Sequence, residues 1–74
     1  MRIEKAQTAL GAVIRKRRQA MELSQEAFAD SIGMHRAYYW SIEHGRRNLS
    51  LKIMGKVADG LKVKLWELMR EAGI

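Results

Sequence analysis

The sequence contains no cysteine and no proline. Without thiols, a disulfide framework and a cysteine-based zinc site are excluded, and the fold must rest on burial of its hydrophobic residues. The lack of thiols is also compatible with a reducing compartment. No apolar run approaches the ~18 residues needed to cross a membrane, and the N-terminal stretch MRIEKAQTALG lacks the hydrophobic segment of a signal peptide. A complete, cytoplasmic chain is the expectation. Low-complexity segments, internal repeats and linkers are missing as well, so the 74 residues form one domain spanning 1–74. A chain this short buries only about 60% of its unfolded surface, which leaves a marginal core that a partner subunit would support. Acidic residues are the last deficit: 8 stand against 14 lysines and arginines, for a net charge of +6. Such a domain attracts polyanions, whether nucleic acid or an anionic membrane surface, although the same charge also favours solubility. Placement of the charges has to decide.

What is present is helical patterning. Ile3, Ala6, Leu10, Val13, Ile14 and Met21 form one stripe of a helix over about 4–21. Ser24 is a suitable N-cap for a helix over about 25–32 that turns Phe28, Ala29 and Ile32 inward. Gly33 ends that helix in the left-handed position. A third helix over 35–44 buries Tyr39 and Ile42 with part of Tyr38, and Gly45 follows it. Ser50 caps a fourth helix carrying Leu51, Met54, Val57, Ala58 and Leu61, which is expected to close at Gly60. The segment VKLWELMREAGI supplies a fifth helix. The fold class is therefore all-α, a small orthogonal bundle of five short helices.

Catalysis has no footing in this pattern. His35 and His44 stand nine residues apart at opposite ends of one helix, roughly 13 Å at about 1.5 Å per residue, and cannot share a metal within one chain. Paired carboxylates, a glycine-rich phosphate loop and a nucleophile with its base are all missing. The chain is read as a non-enzyme with no cofactor and no metal. The pair of short helices bent about Gly33 is more informative, because a helix–turn–helix can lay its second helix in a DNA major groove. That helix must have a buried face and a face carrying donors. Tyr39 and Ile42 supply the first, and Arg36, Ala37, Trp40, Ser41 and His44 point away from them.

The stretch LSQEAFADSIGMHRAYYWSIEHGRRNLSL resembles the Cro and phage-repressor type of helix–turn–helix, the XRE family, with its lambda-repressor-like DNA-binding domain. Leu-Ser-Gln-Glu, Phe28-Ala29, Gly33, Ile42-Glu43 and Gly45 fall in the family register, and LGAVIRKRRQAMEL matches its first helix. Within the family, HRAYYWSIEHGRRNLSL is most similar to the controller proteins of restriction–modification systems. Three positions depart from the pattern: His35 replaces the usual Ser or Thr cap, Tyr39 replaces Ile or Val, and Trp40 replaces a small or polar residue. These departures bear on operator sequence rather than on fold.

The resemblance implies roles for single residues. Gln25 matches the glutamine that bonds a phosphate and braces the recognition helix. Arg36 stands where base edges come within reach. It can pair with guanine O6 and N7 or settle on a phosphate. Ala37, Trp40 and Ser41 follow on the same face; the indole can pack on thymine methyls or a sugar, or against a neighbouring helix. The Tyr38 hydroxyl can reach a phosphate, and His35 and His44 can touch one, cap the helix or be solvated. Arg46, Arg47 and Asn48 suit a loop lying along the DNA backbone, where affinity comes from neutralising phosphates. Ser50 and Lys52 can add contacts from the next helix N-terminus. In RKRR, residues 15–18, Arg18 matches the family arginine that pairs with the glutamate at Glu43, leaving Arg15, Lys16 and Arg17 as a solvated face.

In the family the C-terminal end, here about 63–74, forms a two-fold dimer interface. Leu65, Trp66, Met69 and Ile74 are its expected members, with Leu65 and Leu68 also serving the monomer core. A dimer sets two recognition helices one DNA turn apart, about 34 Å, and implies a roughly palindromic operator. The implied protein is a nucleoid-associated homodimeric regulator, repressor or activator, with double-stranded DNA and RNA polymerase as its partners. An antitoxin that also binds a protein toxin is the nearest alternative. A non-specific RNA-binding or membrane-surface module is the other, weakened because the apolar stripe of the first helix is needed by the core and no strands offer stacking platforms.

Overall fold

The structure is a computed structural model and describes residues 2–74. Five helices account for its regular structure, and no strand occurs among the described residues: α1 Ile3–Ala20, α2 Gln25–Ser31, α3 Arg36–Glu43, α4 Leu51–Leu61 and α5 Leu65–Glu71. The expected all-α bundle is what forms. Within α1, Leu10, Ile14 and Arg18 are spaced four apart and buried, so one ridge of this long helix faces the interior. Helix α3 packs on both α1 and α2, and α5 packs on α1 and α4. Ile14, Phe28, Tyr39, Ile42, Val57 and Leu68 are the largest fully buried side chains, so every helix contributes to one core. Each burial contributes about 1.5–3 kcal/mol, which is what holds such short helices in place. The Phe28 and Tyr39 rings lie 5.1 Å apart at 48°, tying α2 to α3.

The local signals at the helix ends operate as their chemistry dictates. Ser24 Oγ accepts a hydrogen bond from the Ala27 amide at 3.0 Å, and Ser50 Oγ accepts one from Ile53 at 3.2 Å. Gly33 adopts a φ of 64°, and the Met34 amide reaches back to the Ala29 carbonyl at 2.9 Å, which closes α2 and redirects the chain into α3.

Two sequence expectations are corrected. Helix α4 does not close at Gly60 but continues to Leu61, and Lys62 takes the left-handed position with a φ of 60°. Gly60 serves another purpose: a Cβ there would lie 2.3 Å from Ile32 Cγ2 and 3.0 Å from Phe28 Cζ, so the missing side chain lets α4 approach α2. Seating lysine in the left-handed region costs about 1–2 kcal/mol, offset by the Val63 amide bonding the Ala58 carbonyl at 3.1 Å. Ile3, read as part of the buried stripe of α1, is 58% exposed. It lines the rim of an open apolar groove with Leu10, Leu51, Leu65 and Met69, and no helix covers it.

Candidate nucleic-acid interface

The placement of α3 is governed by one carboxylate at its C-terminal end. Glu43, buried, accepts hydrogen bonds from Arg18 Nε at 2.7 Å, Arg18 Nη2 at 3.1 Å and Gln25 Nε2 at 2.9 Å, and from the Tyr39 hydroxyl. Arg18 Nη1 also donates to the Leu23 carbonyl at 2.7 Å. The cluster therefore joins α1, the α1–α2 connection, α2 and α3, and no side-chain donor or acceptor buried within the described residues is left unpaired. Burial pushes the Glu43 carboxyl up, but the hydrogen bonds from Arg18, Tyr39 and Gln25 outweigh it and hold it below its ordinary value. Burial, then the bond to Glu43, raises the Tyr39 hydroxyl. The bond to Glu43 likewise raises Arg18 above its ordinary value. A charged, fully bonded cluster leaves α3 little freedom to rotate.

Fixing one face of α3 presents the other. Arg36, Ala37, Trp40 and His44 are exposed, and Tyr38 and Ser41 are half-buried beside them. The eight residues of α3 span about 12 Å. Trp40 is 39% exposed, and its ring stacks on His44 with centroids 3.7 Å apart and planes at 16°. The His44 Nδ1 lies 2.9 Å from the Trp40 carbonyl, and the Arg46 guanidinium stands 5.5 Å from the Trp40 ring centre. His44 and Arg46 thus cover part of the indole, which also lines a groove with Arg15 and Arg18 of α1. Beside this stack, Arg47 sits 4.5 Å from the Tyr38 ring centre and donates from Nε to Ser41 Oγ at 2.9 Å. Ser41 in turn donates to the Tyr38 carbonyl at 2.5 Å. Two cation–aromatic contacts therefore fold the loop's arginines back against α3.

The remaining expected contact residues lie around this face. Gln25 is tied to Glu43 through one amide hydrogen, and its second remains available. His35 occupies the N-cap of α3 without a side-chain hydrogen bond. Asn48, Ser50 and Lys52 are exposed along the loop and the start of α4, where Ser50 serves as the cap. At the C-terminal end, Leu68 is fully buried, Leu65, Met69 and Ile74 are half-buried against the core, and Trp66 remains 58% exposed.

Two further residues join the face: Glu26, given no role from the sequence, and Arg15, read from it as part of a solvated face and indeed exposed. Glu26 receives a hydrogen bond from Arg36 Nη1 at 2.9 Å. Arg15 lines the groove between α1 and α3 with Arg18, Gln25, Arg36, Trp40 and His44. The Arg15–Arg18 spacing of three on one helix was a usable signal for the second. Nothing local could have signalled the first, because Glu26 and Arg36 meet only once the turn has formed.

A family model described as helix-turn-helix matches residues 14–68 of the chain. The sequence is similar to the control protein C.MunI of Mycoplasma sp, 46% identical over 55 residues that cover 74% of each chain. Among solved structures, the restriction–modification controller protein C.AhdI from Aeromonas hydrophila matches with a TM-score of 0.78 and 38% identity, over 82% of this chain and 92% of that one. The controller protein C.Esp1396I, solved as a tetramer in complex with its natural 35 base-pair operator, matches with a TM-score of 0.80 and 29% identity, over 93% and 96%. A long α1, the Gly33 turn, the clamped α3 and the match over residues 14–68 agree: the chain belongs to the helix–turn–helix family, alongside these control proteins.

Proposed function

We propose that the chain is a sequence-specific transcriptional regulator that binds double-stranded DNA as a homodimer, and that it serves as the control protein of a restriction–modification system. The observation that carries this reading is the pairing of a recognition helix locked by Glu43 with a cationic loop, Arg46 and Arg47, packed against that helix's open face. Helix α3 enters the major groove, which is about 12 Å wide and admits one helix. Arg36, Ala37, Trp40 and Ser41 read base edges. Gln25, Tyr38, His44, Arg46, Arg47, Asn48, Ser50 and Lys52 contact phosphates and fix the register. Leu65, Trp66, Met69 and Ile74 form the two-fold contact, with the exposed indole of Trp66 at its centre. The names of the relatives, and the operator complex of one of them, support the reading. Within the nucleoid, regulation follows from occupying a promoter and either blocking RNA polymerase or contacting it.

Selection of bound duplexes from a randomised pool, followed by footprinting of the winners, tests this function. The expected outcome is an inverted repeat whose half-site centres lie about one helical turn, ~34 Å, apart. A pool that remains random through successive rounds would refute specific recognition.

A further inference from the structure

Glu26 is the acid paired with the side chain that the proposed function makes the principal base reader, on a face whose loop and α3 carry cations; Asp30 lies on its other side, in a groove with Glu26 and Arg36. Its Oε2 lies 2.9 Å from Arg36 Nη1, with the two side chains 63% and 68% exposed. A surface pair this open contributes little to stability, so the fold gives no strong reason for it. An acid in the first turn of α2 also favours the helix dipole, a small contribution to stability independent of the Ser24 cap. Every other charged group lining the groove between α1 and α3 is a cation, Arg15 and Arg18 among them.

From this geometry we infer that Glu26 is a positioning residue that sets sequence specificity by suppressing the phosphate contacts of Arg36. The inference rests on the base-reading role proposed above. A free arginine on a long side chain satisfies itself on any phosphate, and that contact carries no sequence information. With a carboxylate on its Nη1, Arg36 is partly neutralised, and a phosphate approaching it meets a second negative charge. Guanine O6 and N7 are neutral acceptors that meet no such repulsion, and the guanidinium has five N–H donors, so the pair with Glu26 leaves an edge for the base. The carboxylate thus penalises the wrong contact more than the right one, which is how a repulsive element sharpens discrimination.

The test uses the full chain, a duplex recovered by selection and a random duplex of equal length. It compares wild type, Glu26→Gln, Arg36→Ala and the double variant across a range of salt concentrations. Glutamine keeps a carbonyl acceptor for Arg36 and removes the charge, exchanging the second oxygen for an amide donor. Random-duplex affinity should rise for Glu26→Gln, with a salt slope steeper by about one per subunit, as expected for one added phosphate contact. Affinity for the selected duplex should rise less, so the ratio between the two falls about three- to tenfold. In the Arg36→Ala background the same change should leave the ratio unaltered. A purely structural Glu26 would lower the melting temperature and weaken both duplexes alike, and that result overturns the inference. An unchanged ratio for Glu26→Gln, while Arg36→Ala lowers it, also overturns the role of Glu26 and leaves base reading intact. An unchanged ratio for Arg36→Ala itself removes the base-reading role, and the inference with it.

Discussion

Replacing Glu43 by glutamine tests how the recognition helix is held. The carboxylate accepts two bonds from Arg18, one from Gln25 and one from Tyr39. Arg18 is 8% exposed and Glu43 6%. Glutamine has one acceptor oxygen and no charge, so the arginine becomes a buried cation without its counter-charge. Breaking a buried pair from one side typically costs about 3–5 kcal/mol. A domain of 74 residues has a total stability of about 4–11 kcal/mol at 0.05–0.15 kcal/mol per residue. Glu43→Gln should therefore remove about a quarter or more of the stability, which urea unfolding followed by circular dichroism at neutral pH would measure. The triple variant Arg18→Met, Tyr39→Phe, Glu43→Leu should recover much of the loss, because it strands neither a charge nor the buried Tyr39 hydroxyl. A single variant within about 1 kcal/mol of wild type would refute the view that this cluster positions α3.

The same carboxylate makes a pH prediction. The folded-state pKa of Glu43 lies below the ordinary value of 4.5, so the unfolded chain binds the proton first as pH falls. The stability it contributes is complete at neutral pH and drains away below about pH 4.5, and urea titrations of the Arg18→Met, Tyr39→Phe, Glu43→Leu variant should show a shallower acid limb than wild type. At Gly11, a Cβ would meet the Glu43 carbonyl oxygen at 2.5 Å and that of Ile42 at 2.6 Å, both backbone. Alanine improves helix propensity by about 1 kcal/mol, yet Gly11→Ala should destabilise by about 2 kcal/mol or more in the same assay because α1 must retreat from α3. Trp66→Glu, at a residue 58% exposed in the monomer, should leave monomer stability within about 0.5 kcal/mol and weaken dimerisation at least tenfold by sedimentation equilibrium.

The elements that sequence reasoning placed well are those whose signals are local. Ser24 and Ser50 cap where a hydroxyl can reach an orphan amide, Gly33 turns the chain where a left-handed residue is needed, and Tyr39 and Ile42 fall three apart on one face. Gly60 misled because a glycine near the end of a helical pattern resembles a terminator. Its actual use is room for Ile32 and Phe28, both remote in sequence. Ile3 followed the periodicity of α1 but lies at the edge of the core, where no helix covers it. On the candidate interface, the spacing of four between Trp40 and His44 already permitted their stacking. The Glu26–Arg36 pair and the folding of Arg47 onto Tyr38 depend on the turn and the loop, and no local pattern encodes either.

On the proposed function, this surface recognises DNA by sequence through Arg36 and by charge through the loop arginines. Titration of wild type, Arg36→Ala and Arg46→Ala against the DNA upstream of the protein's own gene and against random duplex, at several salt concentrations, separates the two contributions. Arg36→Ala should lose discrimination by about 1–3 kcal/mol. Arg46→Ala should weaken both duplexes and flatten the salt slope by about one per subunit. Equal binding of wild type to both duplexes would refute sequence-specific recognition, and equal losses for the two variants would refute the division of roles between Arg36 and Arg46.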